Sequence, residues 1–424
     1  MTTGSFADWQ LGWGLGQGRD AGKHLFKKLI DRLLGLMISC TPIYWGLPWN
    51  SPHNLVSPMP ITPQETKDAH KLLWPAQSEF QNRQLYLFQD FLTNTDEERN
   101  RLSNLIDLWD NVPRYSVSRQ AMTKTRIKGQ FLEHHVADFQ YLGKAFTRTL
   151  YPARVKDLDG MHRDFYASAN EELVEHALRK LAVDQQAGYF DKTNYRSGVV
   201  FTLYQLRDEL HKRGHTRSFK QIVLALHILN GSTVEIHSVD SAELLSRSTY
   251  LPYLAAVSRA NLLTDPKAKW LVQFHPLITG SIDTVTYRQY NYHLMMSHST
   301  QLARWLHMQL VIKYTFASLI KPFETRYSTI KRDSRLLDHY GRVRDAIDQL
   351  DDALEELKAQ NVLSDVTRRE LTGPRGKLLD VVFTLLPSMD FIGDTKAASK
   401  RLNDARAANG SSQKALALGP GAGS

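Results

Sequence analysis

Apolar residues along the middle of the chain repeat at two alternating periods. Glu97 to Trp109 carries Leu102, Leu105, Ile106 and Trp109, a helical spacing. Tyr141 to Tyr151 reads as strand. Ala169 to Leu181 predicts a helix opened by Asn170, with Leu173, Val174, Ala177, Leu178 and Leu181 on one face. Thr202 to Leu210 predicts a short helix that turns Leu203, Leu206 and Leu210 inward. A polar turn follows, Lys212-Arg213-Gly214-His215-Thr216-Arg217. Ser218 then caps a second helix in which Phe219, Ile222, Val223, Leu226 and Leu229 form the buried stripe. Asn230-Gly231 ends it, and a β-branched run, Thr233 to Ile236, begins at once. Helix, turn, helix and strand in this order describe a winged helix-turn-helix.

The same order returns downstream. Thr300 to Tyr314 is an apolar helix with Leu302, Trp305, Leu306 and Leu310. Tyr327 to Leu337 is short and basic, and Asp338-His339-Tyr340-Gly341 is a turn. Arg342 to Gln360 then buries Val343, Ile347, Leu350, Leu354 and Leu357. Val366 to Glu370 and Leu378 to Leu385 predict a β-hairpin joined around Gly373-Pro374-Arg375-Gly376-Lys377.

The ends differ from the middle. Residues 1–80 carry Pro at 42, 48, 52, 58, 60, 63 and 75, which argues against helix interiors and sheet ladders. From Lys396 onward Ala, Gly and Ser dominate, with Lys396, Lys400, Arg401, Arg406 and Lys414 against Asp404. The fold class expected is α+β: two tandem winged-helix domains between disordered N- and C-terminal tails. The boundaries are an irregular leader at 1–80, a first winged-helix domain at 81–265, a second at 266–392, and a flexible basic tail at 393–424.

Composition narrows the function. One cysteine, Cys40, leaves no disulfide framework, zinc finger or iron–sulfur site to build within one chain, and fits a reducing, cytoplasmic setting. The uncharged stretch Leu33 to Trp49 is too short to span a bilayer and is broken by Pro42 and Pro48, so no membrane partner is expected. Gly18 to Gly22-Lys23 is one residue short of a phosphate-binding loop, and His24 stands where the hydroxyl belongs. His211 and His215 are four apart but lack the glutamate of a zinc-protease helix. No serine or cysteine sits in a nucleophile elbow. No catalytic residue, metal or cofactor is expected.

Charge then supplies a partner. Lys plus Arg is 53 and Asp plus Glu is 44, a surplus of +9, so an anionic partner fits. The cations are grouped. Lys331, Arg332 and Arg335 lie on the short basic helix of the second motif, and Arg342 and Arg344 stand at the start of the following helix. Asp348, Asp351, Asp352, Glu355 and Glu356 come later in that helix. The helix dipole alone favours acids first, so cations at the start point to an external anion. A recognition helix enters the major groove by that end. Arg375 and Lys377 sit at the hairpin tip, where a wing touches phosphate. In the first motif the candidates are Lys212, Arg213, Arg217 and Lys220.

At this point the chain resembles iteron-binding plasmid replication initiators, most closely the TrfA-like group. Three stretches carry the resemblance. Glu172-Leu173-Val174 opens the helix before the first motif. Phe201-Thr202-Leu203-Tyr204-Gln205-Leu206 is similar to the phrase FTFYEL. Gln84-Leu85-Tyr86-Leu87-Phe88 is similar to the QL[SD]LF pentapeptide that docks on the bacterial sliding clamp, with Tyr86 where Ser or Asp is usual. The resemblance covers residues 81–390. It implies a monomer that binds directly repeated sites in double-stranded origin DNA, melts adjacent DNA and recruits host DnaA, DnaB helicase and the DNA polymerase III sliding clamp. It also implies dimerisation through the first winged domain, and a place at the bacterial nucleoid. Leu87 and Phe88 would fill an apolar pocket on the clamp beside Leu85, with Gln84 bonding at its rim.

Two other classes compete. A rolling-circle nicking initiator holds metal on a His-x-His pair, and the sequence has none. A winged-helix transcription regulator shares the fold but has no use for a clamp peptide.

Overall fold

The structure, a computed structural model, describes residues 96–184, 188–191, 194–256 and 268–417, all within one compact unit. The leader and the pentapeptide 84–88 lie outside the described residues. The fold is α+β.

The described chain opens with α1 (Asp96–Arg101), β1 (Leu102–Ile106) and α2 (Asp107–Asn111). The single helix expected over Glu97–Trp109 is therefore broken by a strand. β1 is buried along its whole length and pairs antiparallel with Tyr287–Asn291. With the polar Ser103 and Asn104 buried between Leu102, Leu105 and Ile106, the apolar residues of this strand fall at i, i+3, i+4 and mimic a helix.

Helix α3 (Arg119–Thr125) is capped by the Ser118 hydroxyl, which accepts from the Ala121 amide. Two hairpins follow, β2 (His135–Tyr141) with β3 (Lys144–Tyr151), and β4 (Ala153–Lys156) with β5 (His162–Phe165). Next come α4 (Ala169–Asp184), β6 (Gly188–Asp191), β7 (Arg196–Thr202), α5 (Leu203–Lys212) and α6 (Phe219–Gly231). Both short helices start on reciprocal caps, Thr202 with Gln205 and Ser218 with Gln221; of these the Ser218 cap is the one expected from sequence. β8 (Thr233–Ser238), β9 (Leu244–Thr249) and β10 (Tyr253–Ala256) complete this stretch. β11 (Lys269–Gln273), α7 (Pro276–Thr284), β12 (Tyr287–Asn291) and α8 (Tyr292–Ser297) follow.

The strands sort into sheets ordered β10-β11-β7-β6 and β2-β3-β8-β9, besides the pair β1-β12. Because β11 pairs with β7, and β12 with β1, this stretch still belongs to the first part. The next helix begins at Thr300.

There, Thr300 caps α9 (Gln301–Lys313) through the Ala303 amide. β13 (Phe323–Arg326), α10 (Tyr327–Ser334), α11 (Val343–Ala359), β14 (Leu363–Thr372) and β15 (Leu378–Pro387) follow, in a sheet ordered β13-β15-β14. The last element is α12 (Met389–Ala417). The tail expected to be flexible from 393 is thus helical to Ala417. Phe391, Ile392, Ala398 and Ala405 are buried, and Arg288 of β12 donates to the Thr395 carbonyl at 3.0 Å. Its Ala-rich composition suits a helix as well as a coil.

One apolar core runs from Leu102 to Ala405. At its centre α4 is buried on both faces. Its charged face is matched by the end of α2: Asp110 accepts from Arg179 at 2.8 and 3.0 Å and from Arg114 at 2.8 Å. Glu175 accepts from Trp109 Nε1 at 2.7 Å and from Arg114 at 3.2 Å.

Candidate nucleic-acid interface

The buried stripe of α11 is Ala346, Ile347, Leu350, Ala353, Leu354 and Leu357, which fixes which side of its first turn faces outward. Val343, expected in that stripe, is instead 51% exposed. The N-cap residue is Arg342, and no side chain satisfies the first-turn amides. Arg342 and Arg344 are exposed, and neither guanidinium bonds to any described residue. The first turn also carries the exposed Asp345, so Arg342 and Arg344 leave a helix start with one net positive charge and no side-chain cap, an end that can accept an anion.

The acids further along α11 are absorbed inside the chain. Arg368 of β14 bonds to Asp351, and also to Glu370 at 2.6 Å. Glu356 accepts from the Ser299 amide and, at 3.3 Å, from the Thr300 hydroxyl, which ties the middle of the motif to the start of α9. The acidic half thus has a structural job as well as distance from an anion.

The hairpin is closed by Gly373 N donating to the Lys377 carbonyl at 2.8 Å and by Gly376 N donating to the Gly373 carbonyl at 3.2 Å. Arg375 lies at its tip with φ 62° and is exposed, as is Lys377. The base is pinned to α10, where Ser328 donates to Asp380 from its amide at 3.1 Å and its hydroxyl at 2.6 Å. Helix start and hairpin tip therefore belong to one braced element set. Arg369 stands exposed on β14 without a partner among the described residues. The sequence reading omits it, although its place on an outward strand beside the wing was the available signal.

Three other candidates of this motif need sorting. Lys331 is half-exposed and makes no ion pair with described residues. Arg332 is taken by Asp333 at 2.8 Å. Arg335 caps the end of α10 in the left-handed region and donates to the Asp138 carbonyl of β2 at 2.8 Å. Arg335 thus ties α10 to β2, while Arg332 pairs with its chain neighbour and stays 36% exposed.

The cations of the first motif differ in what they touch. Arg213 is buried, paired with Glu209 at 2.9 Å and directed at the Asn100 carbonyl. Arg217 donates to Asn170 at 2.6 Å. Lys212 is paired with Asp208 at 2.7 Å, a bond that raises its pKa. Of the four cations placed there, Lys220 alone is exposed without a described partner. Asp208–Lys212 and Glu209–Arg213 are i, i+4 pairs on one helix, a spacing legible in the sequence that the reading of charge alone passes over.

Among the described residues no group of three His, Asp or Glu side chains could hold a metal ion, and no helix is long and apolar enough to cross a membrane.

No protein-family model matches the chain, and no curated protein matches it. Among solved structures it is similar to domains 2 and 3 of RctB, in a selenomethionine derivative, with 12% identity, 60% of this chain and 91% of that one covered, and a TM-score of 0.39. A second crystal structure of those domains gives 10% identity, 63% and 95% coverage and a TM-score of 0.37. The chain is also similar to Pi initiator protein, crystallised in complex with iteron DNA, with 13% identity, 57% and 98% coverage and a TM-score of 0.35.

Proposed function

We propose that this chain is a non-enzymatic replication initiator of the kind plasmids use, and that it binds directly repeated sites in duplex origin DNA. One observation carries the reading. The element order α9, β13, α10, α11, β14, β15, with a sheet ordered β13-β15-β14, supports a winged-helix reading. Arg342 and Arg344 stand unpaired at the start of its long helix, and Arg375 and Lys377 at the tip of its wing. A helix start reads base edges in the major groove while a wing holds the neighbouring backbone. The two capped helices α5 and α6, followed by β8 and β9, support a first winged motif before it. With Arg213 and Arg217 tied down, that motif is assigned to self-association and backbone contact rather than to base reading.

The finer parts of the role follow from the resemblance in sequence. The monomer opens DNA beside its sites and brings in DnaA, DnaB helicase and the polymerase III sliding clamp. Gln84, Leu85, Leu87 and Phe88 serve as the clamp anchor. The site of action is the bacterial cytoplasm, at the plasmid.

The test is a circular DNA carrying only this gene, its flanking sequence and a selectable marker, introduced into a bacterial host. Autonomous replication is the expected result. The flanking DNA should hold tandem direct repeats of about 17–22 base pairs, roughly two helical turns each. Failure to replicate, together with flanks lacking such repeats, overturns the proposal.

A further inference from the structure

Among the described residues, three tight turns place a left-handed residue directly before a left-handed glycine. They are Lys128-Gly129 (φ 52° and 69°), Leu142-Gly143 (49° and 76°) and Arg375-Gly376 (62° and 71°). Glycine suits the second position because it lacks Cβ. The first position favours Asn, Asp or Gly, and a long side chain there carries a conformational cost. Leu142 shows that the turn does not itself call for a cation. Two of the three carry one, and one of those two is the tip of the wing.

The Lys128 turn is built to project. Ile127 N donates to the Phe131 carbonyl at 2.8 Å, and Gln130 N to the Ile127 carbonyl at 3.1 Å. The turn is braced across β4 and β5. Arg126 donates to the Asp164 carbonyl at 3.0 Å, the Asp164 amide to the Gln130 carbonyl at 2.8 Å, and Arg154 to the Gln130 side chain at 3.2 Å. The Arg154 guanidinium also lies 4.4 Å from the centre of the Phe131 ring. Beyond this bracing the tip stands clear: a Cβ added at Gly129 meets nothing within 4 Å, as at Gly376.

The surroundings are cationic and partly apolar. No acidic residue occurs between Asp110 and Glu133; Arg119 is paired with Glu171 at 2.8 Å and Arg154 with Asp164 at 3.1 Å, which leaves Lys124 and Lys128 as the free cations of the turn. Lys124 and Lys128 are exposed and make no ion pair with described residues. Burial lowers the Arg126 pKa, with Arg119 and Arg163 adding to the effect and Asp157 and Asp164 opposing it. Ile127 and Phe131 flank the lysine and are 49% and 45% exposed.

We propose that the Ile127–Phe131 turn, with Lys124 and Lys128, is a second phosphate-contacting site that grips the duplex backbone beside the stretch read by α11. The inference rests on the initiator reading for its ligand, and it relocates the first motif's DNA contact from Lys212, Arg213 and Arg217 to this turn. The turn leads through Leu132 into β2, and β2 is bonded to the end of α10 by Arg335. Both gripping points are thus joined through one strand.

The test uses the full chain and fluorescence anisotropy over a series of salt concentrations. The probes are a duplex bearing the repeats beside its own gene and a shuffled duplex of equal length. K124E/K128E should bind both more weakly by the same factor, with the preference for the repeats unchanged. The slope of log K against log salt should become shallower by about 0.9 for each phosphate that the variant no longer neutralises. K128R should match the wild type, which excludes a folding effect of altering the turn. Wild-type affinity and slope in a folded K124E/K128E variant overturn this inference alone. A wild-type chain that binds neither duplex overturns the initiator reading together with it.

Discussion

Arg335 donates from Nη2 to the main-chain carbonyl of Asp138 at 2.8 Å, and from Nε to the same oxygen at 3.2 Å. The bond joins the second motif to a strand almost two hundred residues earlier. Beside it Asp333 accepts from the Gln140 amide at 3.3 Å, with Arg332 at 2.8 Å and Lys313 at 3.6 Å. R335A should therefore lower stability by about 1 kcal/mol in urea unfolding and leave the preference for repeat DNA intact. R335G should cost less, because glycine takes the φ of 57° without strain. Selective loss of repeat binding by R335A at wild-type stability would return Arg335 to the DNA face.

Arg344 and Lys377 separate base reading from backbone contact. R344A should weaken binding to the repeats by about 1–3 kcal/mol while sparing shuffled DNA. Equal loss on both duplexes reduces Arg344 to a phosphate contact. K377A should weaken both equally and make the salt slope shallower by about 0.9. An unaltered slope counts against the wing.

Much of the local structure was legible because it depends on neighbours in sequence. The Thr202 and Ser218 caps, the helix–turn–helix between them and the hairpin around Arg375 are set within a few residues. What the sequence hides is what pairs at long range. β1 reads as helix because its partner, β12, lies far downstream. β13 is too short to show a period, yet it completes the three-stranded sheet by pairing with β15. The charged face of α4 looks solvated until Arg114 and Asp110 are seen against it. The site divides the same way: Arg342, Arg344, Arg375 and Lys377 are exposed, Arg213 is held by Glu209 four residues before it, which spacing discloses, and Arg335 is spent on the Asp138 carbonyl, which spacing does not.

Acid should unfold the chain through its buried charges. Burial pushes the Glu175 carboxyl up, but Arg114 and Arg179 outweigh it and hold the pKa at about 2, against 4.5 ordinarily. Asp110, between the same arginines, is lowered as well. Burial takes His176 down to about 3, with Arg179 adding to the effect, and takes His275 to about 3, against 6.5. All four pKa values are depressed in the folded state, so the unfolded chain binds more protons across these windows. Stability should begin to fall below pH 6.5 as the histidines lose ground. It should fall more steeply below pH 4.5, where each depressed group costs about 1.4 kcal/mol per pH unit. Urea midpoints should therefore order pH 7 above pH 5 above pH 4. E175Q should lose about 3 kcal/mol at pH 7, since it leaves Arg114 short of its buried partner. A midpoint that does not change from pH 7 to pH 4 would contradict this network.

Helix α12 gives the last prediction. Arg401 reaches Glu98 at 2.7 Å and Gln289 at 2.9 Å, and Arg288 reaches the Ser399 hydroxyl at 2.9 Å. These bonds lie near the surface, and Arg401 keeps 18% of its side chain in water. Phe391, in contrast, is buried among Tyr314 and His307, with ring centres 6.4 Å away in each case. Apolar burial should thus outweigh the ion pair. R401A should cost about 0.5 kcal/mol, and F391A about 3 kcal/mol. F391A should also open the segment after Pro387 to trypsin, which would cut at Lys396 and Lys400 faster than in the wild type. Wild-type stability and cleavage in F391A would mean that this segment is a tail after all, brushing the fold without holding it.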